Sequence, residues 1–347
     1  MTHSPRPGTT LQRLTIVCDP AHGSQPWRFV REAGVDPART LEGRPVEEAA
    51  GLAPRIFNLC GAAHGYAAAR ALGFAAVADA PAMARESVRD HALAIFHTWP
   101  GLLGGAPDRD ALRALSQPGP EGAAALRRAL VGARLPDRDF GNLSCAALGA
   151  WLCAGETATA RILSRLRREV DPAEGRAGLP ELTTVDLARA LESAAPDDAP
   201  LALRETGALS RMAGTPLFAA LIAAEGPSLF VRLLARLADL LALLEAPPQA
   251  APTASAPTRD APEGLGFADA ARGLLGHGAR VDGGRVSRYR ILSPSAWNLA
   301  PGGLLERAIA ALDPSGAQAQ LLAHFLVSAI NPCVPVRLDV TGALRHA

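Results

Sequence analysis

Aromatic residues are scarce in this sequence. Phe, Trp and Tyr make up 4% of 347 positions, whereas apolar residues as a whole reach 48%. With so few rings, Ala and Leu must supply the core, a mix that favours helices packed through small side chains. Net charge is nearly absent as well. Lys plus Arg number 35 against 34 for Asp plus Glu, a formal balance of +1. Composition therefore offers no electrostatic case for a nucleic-acid or membrane partner. No apolar stretch of about 18 residues free of charge and proline appears, so no membrane span is expected. The N-terminal residues lack the charged, apolar and small-residue order of a secretory signal. Cysteine is sparse too. Cys18, Cys60, Cys145, Cys153 and Cys333 are too few and too widely spaced for a disulfide framework, which fits a reducing, cytoplasmic setting. The length allows one large domain or two modest ones.

LQRLTIVCD, residues 11–19, has the apolar content of a strand, and a loop with Pro20, Gly23 and Pro26 follows. Residues 65–73 and about 83–98 read as helices. From about 108 to 245, Ala/Leu/Arg segments are broken at Pro and Gly, which predicts a succession of helices. Residues 227–245 form the most continuous one, with Pro227 in its first turn. Residues 246–264 are rich in Pro, Ala, Ser and Thr and predict a flexible linker. Two short strand-like runs then flank Asp282-Gly283-Gly284, a hairpin signal. A last helix, QAQLLAHFLVSAI, leads into Asn331-Pro332-Cys333. No internal repeat is evident.

Cys60 and His64 stand four apart. On a helix they share a face and can reach one metal. The ordinary alternatives are a small buried thiol and a histidine in a local hydrogen bond. Cys333 follows a helix end and a proline, where a lone cysteine more often packs than ligates. Arg272, in DAARGLLGH, reads by itself as an exposed arginine at a helix start. LSPSAWNLAP, residues 292–301, reads as a turn with a half-buried Trp297, and Asp90-His91 as a solvated helix face. Cys145 and Cys153 lie in an apolar helical region and are expected in the core. Cys18 and His22 also stand four apart, but Pro20 argues against a regular helix between them.

Order and context change the weight of these residues. LEGRPVEEAAGLAPRIFNLCGAAHGYAAARALG resembles the first metal-motif region of the large subunit of nickel–iron hydrogenases, a Gly-Arg followed by Arg-x-Cys-Gly-x-Cys-x-x-x-His. VRDHALAIFH is similar to the family's following helix with its Asp-His pair. DAARGLLGHGARVDGGRVSRYRILSPSAWNLAP resembles its segment from Glu-Ala-Pro-Arg-Gly through Pro-Thr-Thr-Trp-Asn. AINPCVPVRLDV resembles its terminal motif, Asp-Pro-Cys-x-x-Cys-x-x-His. The resemblance covers about 40–100 and 264–340, while the helical middle, 108–245, diverges. It implies a mainly α (α+β) fold: one multihelical large-subunit-like domain over 1–347, with a small sheet or hairpin component and the two chain ends meeting at one site.

The departures carry equal weight. Phe57 stands where the first motif has its first cysteine, and Asn58 where it has its glycine; Cys60 and His64 are kept. In the terminal motif Asn331 replaces the Asp, Val336 the second cysteine and Asp339 the His; Cys333 is kept. In the family four thiolates hold nickel and iron, and the iron carries two cyanides and one carbon monoxide. Nickel in a soft sulfur site needs all four donors, so no nickel and no hydrogen-cleaving enzyme are expected. With Asp339 at the terminal His position, removal of a C-terminal extension is not expected either. The resemblance places Arg272 and Ser295 around the cyanides, as a guanidinium fork and a hydroxyl. It leaves Cys60 and Cys333 to ligate iron, with His64 beside them. This pattern is similar to the large-subunit-like hydrogenase expression/formation proteins of the HupK/HoxV type. The resemblance implies a scaffold that holds an Fe(CN)2(CO) unit in transit, between a HypC-type iron carrier or other maturation proteins and the precursor of the hydrogenase large subunit. The alternatives are a metal-free chaperone, a degenerate hydrogenase, and a zinc site at Cys60 and His64, which would lack the four protein ligands of a closed zinc site.

Overall fold

The computed structural model of the chain describes residues 9–20, 25–75, 79–117, 119–133, 139–193, 202–245 and 264–340. His22, Gly23, residues 246–263 of the linker expected over 246–264 and the residues after Val340 lie outside these, while Gly264 belongs to a strand.

The strand expected at 11–19 forms as β1 (Thr9–Cys18). It pairs antiparallel with β2 (Trp27–Val35) on one side and, near the other end of the sequence, parallel with β6 (Val336–Val340). VRLDV alternates as a half-buried strand should: Val336 and Leu338 pack on the main core, whereas Arg337 and Asp339 are exposed. The second sheet is larger than the expected hairpin. β3 (Gly264–Ala270), β4 (Gly273–Asp282) and β5 (Arg285–Leu292) form an antiparallel meander, with Gly283-Gly284 turning β4 into β5. The helix start expected around Arg272 is therefore a tight turn between two strands.

Most of the helices share the main core with the first sheet. The helix Leu229–Glu245 is buried at every position from Leu229 to Leu241, Arg232, Arg236 and Asp239 included. A helix apolar on all sides lies at the centre of a fold, and here three charged groups go in with it. Two helices carry the first motif, α1 (Val46–Ile56) and α2 (Gly61–Ala71). The small-residue face of α2, Ala63, Ala67, Ala68 and Ala71, lies directly on the second sheet. A Cβ on Gly266 would stand 2.0 Å from the Ala67 carbonyl oxygen, so only glycine permits this approach.

The expected helix at 83–98 begins earlier, as α3 (Ala80–Leu93), and runs on through a wider π turn at Ala94–Thr98. Pro100 has no N–H to give the Phe96 carbonyl, four residues back. Asp108 N–H takes that role at 2.9 Å. Expectations fail on burial as well. Cys145 and Cys153 are exposed, because the helix Cys145–Ala154 buries Leu148, Trp151 and Leu152, leaving Cys153 on the far side and Cys145 in the solvent-facing first turn. Trp297 is buried, not half-buried.

Candidate functional site

Pro54 lies inside α1, and the helix ends two residues later. Phe57 caps it in a non-helical conformation, Asn58–Cys60 makes a single 3₁₀ turn, and Cys60 sits at φ −136°, ψ 50°, just before α2. Cys60 and His64 thus do not share a helical face: the cysteine belongs to the break between two helices. Phe57, at the position of the missing thiol, stacks on the His64 ring with centroids 4.7 Å apart. His64 Nδ1 lies 2.9 Å from His277 Nε2. Among the described residues no three His, Cys, Asp or Glu side chains form a metal-ligand cluster.

Arg272 occupies the turn between β3 and β4. Gly273 follows it at φ +122°, and a Cβ there would stand 2.4 Å from Thr206 Oγ1. This leaves Arg272 buried and aimed at Cys60, the opposite of an exposed residue at a helix start. Its Nη1 donates to Cys60 Sγ at 3.2 Å and its Nη2 to Asp90 Oδ1 at 2.8 Å. Its Nε, also buried, has no partner among the described residues.

From the other end of the chain, the helix Ala319–Ile330 stops at Asn331, the one non-glycine residue at positive φ among those described. Pro332 follows and cannot continue the helix. Asn331 Nδ2 donates to Asp90 Oδ2. Cys333, partly exposed, donates its backbone N–H to Ser295 Oγ at 2.8 Å. Ser295 is buried in the short helix Pro294–Asn298. As it accepts this bond, its own hydroxyl hydrogen is left to donate elsewhere. Asn298 clamps that helix to the Thr206 backbone through both amide atoms, at 3.1 and 2.7 Å. Thr206 Oγ1 in turn accepts the Leu274 N–H of β4 at 2.8 Å.

Sequence segments more than 200 residues apart thus bring Cys60, Arg272, Asp90, Asn331, Ser295 and Cys333 together. Asp90 and His91, expected on a solvated face, are half-buried and buried. His91 accepts from Arg236 Nε at Nδ1 (3.1 Å), which leaves its Nε2–H to donate to Asp239 at 2.8 Å. Arg236 also donates to Asp90 Oδ2 at 3.1 Å. Arg211 grips Asp239 with two nitrogens, at 2.9 and 2.6 Å, and reaches the carbonyls of Ala270 and Ala271 in the Arg272 turn. Arg211, Arg236 and Asp239 were not expected from the sequence. A signal existed: Arg232, Arg236 and Asp239 fall at i, i+4 and i+7, one face of an otherwise apolar helix.

The electrostatics follow from burial opposed by partners. Burial pushes the Cys60 thiol above its ordinary value, and the adjacent Arg272 charge and hydrogen bond pull it only part of the way back. Burial works against the Arg272 charge, yet Asp90, Cys60 and Cys333 hold its pKa above the usual value. Asp90 would also be raised by burial, but Arg236, Arg272, His91 and the Asn331 amide bring it below the carboxylate range. The pair Asp90 and Asp239 faces three guanidinium groups, Arg211, Arg236 and Arg272. Such surroundings favour an anion beside Arg272.

The same architecture appears in known proteins. The profile of the family described as nickel-dependent hydrogenase matches residues 198–322, a span that includes Arg272 and Ser295 but neither Cys60 nor Cys333. The chain is similar to the Ni-Fe-Se hydrogenase from Desulfovibrio vulgaris Hildenborough in its reduced state, with a TM-score of 0.52 and 15% identity, over 88% of this chain and 95% of that one. At that identity the likeness establishes the fold, which is that of nickel–iron hydrogenase large subunits. The hydrogenase expression/formation protein HoxV of Cupriavidus necator is 28% identical over 88% of the chain and 91% of its own length. The hydrogenase expression/formation protein HupK of Azotobacter vinelandii is 31% identical over 88% and 91%. That of Rhodobacter capsulatus is 36% identical over 310 residues, 89% of this chain and 90% of the relative. The chain belongs to the HupK/HoxV family of hydrogenase expression/formation proteins.

Proposed function

We propose that this chain is a non-enzymatic assembly scaffold in the maturation of nickel–iron hydrogenases, handling an iron–cyanide–carbonyl unit as cargo in the cytoplasm. In this reading a HypC-type carrier delivers the unit, and the precursor of the hydrogenase large subunit receives it. One observation carries the reading: Arg272 stands 3.2 Å from Cys60 and is anchored on Asp90, which also holds Asn331, two residues before Cys333. The donor set fits such cargo. Cys60 and Cys333 are soft ligands for iron. Arg272 Nε–H is a buried donor without a partner among the described residues, and the Ser295 hydroxyl retains a hydrogen to give. Cyanide nitrogens are acceptors that suit both. Phe57 and Val336 supply no thiolate for nickel. Two thiolates hold metal less firmly than four, which suits cargo that must leave.

Cys60 reaches the metal only by losing a proton that burial favours. Loading therefore releases a proton, and affinity rises with pH below the raised thiol pKa. The test is infrared spectroscopy with metal analysis on protein purified anaerobically from a host that makes the cyanide and carbonyl ligands. Cyanide and carbonyl bands with iron but no nickel, lost in Cys60→Ser or Cys333→Ser, are expected. A blank spectrum from protein that still supports maturation would favour a chaperone that never holds the metal.

A further inference from the structure

Three side chains run in line through the interior behind Cys60: Tyr289 on β5, His277 on β4 and His64 on α2. Tyr289 Oη lies 2.8 Å from His277 Nδ1, and His277 Nε2 lies 2.9 Å from His64 Nδ1. Tyr289 and His277 are 2% and 0% exposed. Glu42 accepts the Tyr289 backbone N–H at 3.1 Å, tying this line to the Gly-Arg segment upstream of the first motif. Burial, helped by the Arg272 charge, lowers His64 to about 4, and burial keeps His277 well below its ordinary value. Both rings are neutral, and a neutral imidazole has one N–H and one bare nitrogen.

The line therefore has only two possible directions. If His64 Nδ1–H donated to His277, His277 Nδ1–H would donate to the phenol oxygen, and the Tyr289 hydrogen would be left over. Tyr289 Oη has no second partner among the described residues, so this direction strands a buried donor, which is destabilising. The opposite direction pairs every group along the line and leaves only the His64 Nε2–H, which is not among the fully buried atoms without a partner, to meet solvent or a bound group. The phenol donates to His277 Nδ1, His277 Nε2–H donates to His64 Nδ1, and His64 carries its hydrogen on Nε2. That nitrogen has no partner among the described residues. Phe57, stacked on the ring, holds its plane.

We infer that Tyr289 and His277 are positioning residues that hold His64 in the Nε2–H form, so that the site meets a hydrogen-bond donor there and not a metal-ligating nitrogen. This specifies cargo that carries acceptors, such as metal-bound cyanide, over a bare divalent cation that seeks imidazole. The acceptor's identity rests on the scaffold reading; the tautomer does not. The experiment needs no iron. The full chain is labelled with 15N-histidine, and long-range 1H–15N correlations report which nitrogen of each ring is protonated. The Nε2–H pattern is expected for His64 and His277. Tyr289→Phe keeps the ring and removes the phenol hydrogen, so the two histidines are expected to show mixed tautomers while the melting transition stays cooperative. An Nδ1–H pattern at His64 in the unaltered chain would overturn the inference, as would an unchanged Nε2–H pattern in Y289F. If Y289F does not fold, the unaltered chain decides alone. A blank infrared spectrum beside the expected tautomer would sink the cargo and leave the positioning intact.

Discussion

Cys60 and Cys333 approach one arginine from opposite ends of the chain, in unlike surroundings. Cys60 is 6% exposed, set in a helix break and gripped by Arg272. Behind it Asp90, Arg236, His91, Asp239 and Arg211 form a continuous network, buried at Arg236, His91 and Asp239 and half-buried at its ends. Cys333 is partly exposed. It is fixed through its backbone N–H, and among the described residues its thiol has only the Ser293 hydroxyl, at a long 3.9 Å. The difference teaches that the site is rigid on one side. The Cys60 half has its charges placed by the fold, and the Cys333 half is the shallow one.

The comparison breaks most readily at the network. Arg236→Met removes the donor to His91 Nδ1 and one of the donors to Asp90, which keeps Arg272 and Asn331, and is expected to cost about 3–5 kcal/mol, read by urea denaturation. Cys333→Ser is expected to stay within about 0.5 kcal/mol. Equal losses would show that the two halves are equally built in.

Acid sharpens the same contrast. His64 is neutral in the folded chain, with its pKa lowered to about 4 by burial and the Arg272 charge, whereas the unfolded value is about 6.5. Below about pH 6.5 the unfolded chain binds the proton and the folded one does not. Stability present above that pH is lost as pH falls towards 4, by up to on the order of 3 kcal/mol from this residue. His64→Gln is expected to flatten that part of the stability profile, and an unchanged slope would remove His64 from the account. Cys333→Ser leaves the slope as it is.

The smallest effect is chemical. Native-state alkylation followed by mass spectrometry is expected to label Cys333 faster than Cys60 by roughly tenfold or more, because burial and a raised pKa both slow Cys60. The exposed Cys145 and Cys153 serve as fast references. Equal rates at Cys60 and Cys333 would remove the asymmetry.

Local pattern made several elements legible. Strand β1, the Gly-Gly hairpin and the helix Leu229–Glu245 stand where apolar periodicity and turn residues place them. Errors arose where burial depends on a partner distant in sequence. Arg272 looked exposed because its carboxylate partner is not the nearby Asp269 but Asp90, which makes its burial tolerable and comes 182 positions earlier. Asp90-His91 looked solvated for the same reason, with Arg236 and Asp239 about 150 residues away. Cys145 and Cys153 looked buried because their neighbours are apolar, but the helix turns a different stripe inward. The basic residues held a further hint: the sequence contains no lysine, so each of its 35 cations is an arginine. The planar fork of arginine is the side chain best suited to buried, multiply bonded charge.

By itself the sequence determined the helical composition, the small β component, and the survival of one cysteine from each motif, because these depend on residue type and short-range order. Only the tertiary structure decided which residues meet. It set Arg272 against Cys60, brought Asn331 to Asp90, and lined up Tyr289, His277 and His64. Contacts of this kind depend on how strands and helices remote in sequence pack, and a buried charge or hydrogen bond is stable only when its partner arrives by that packing.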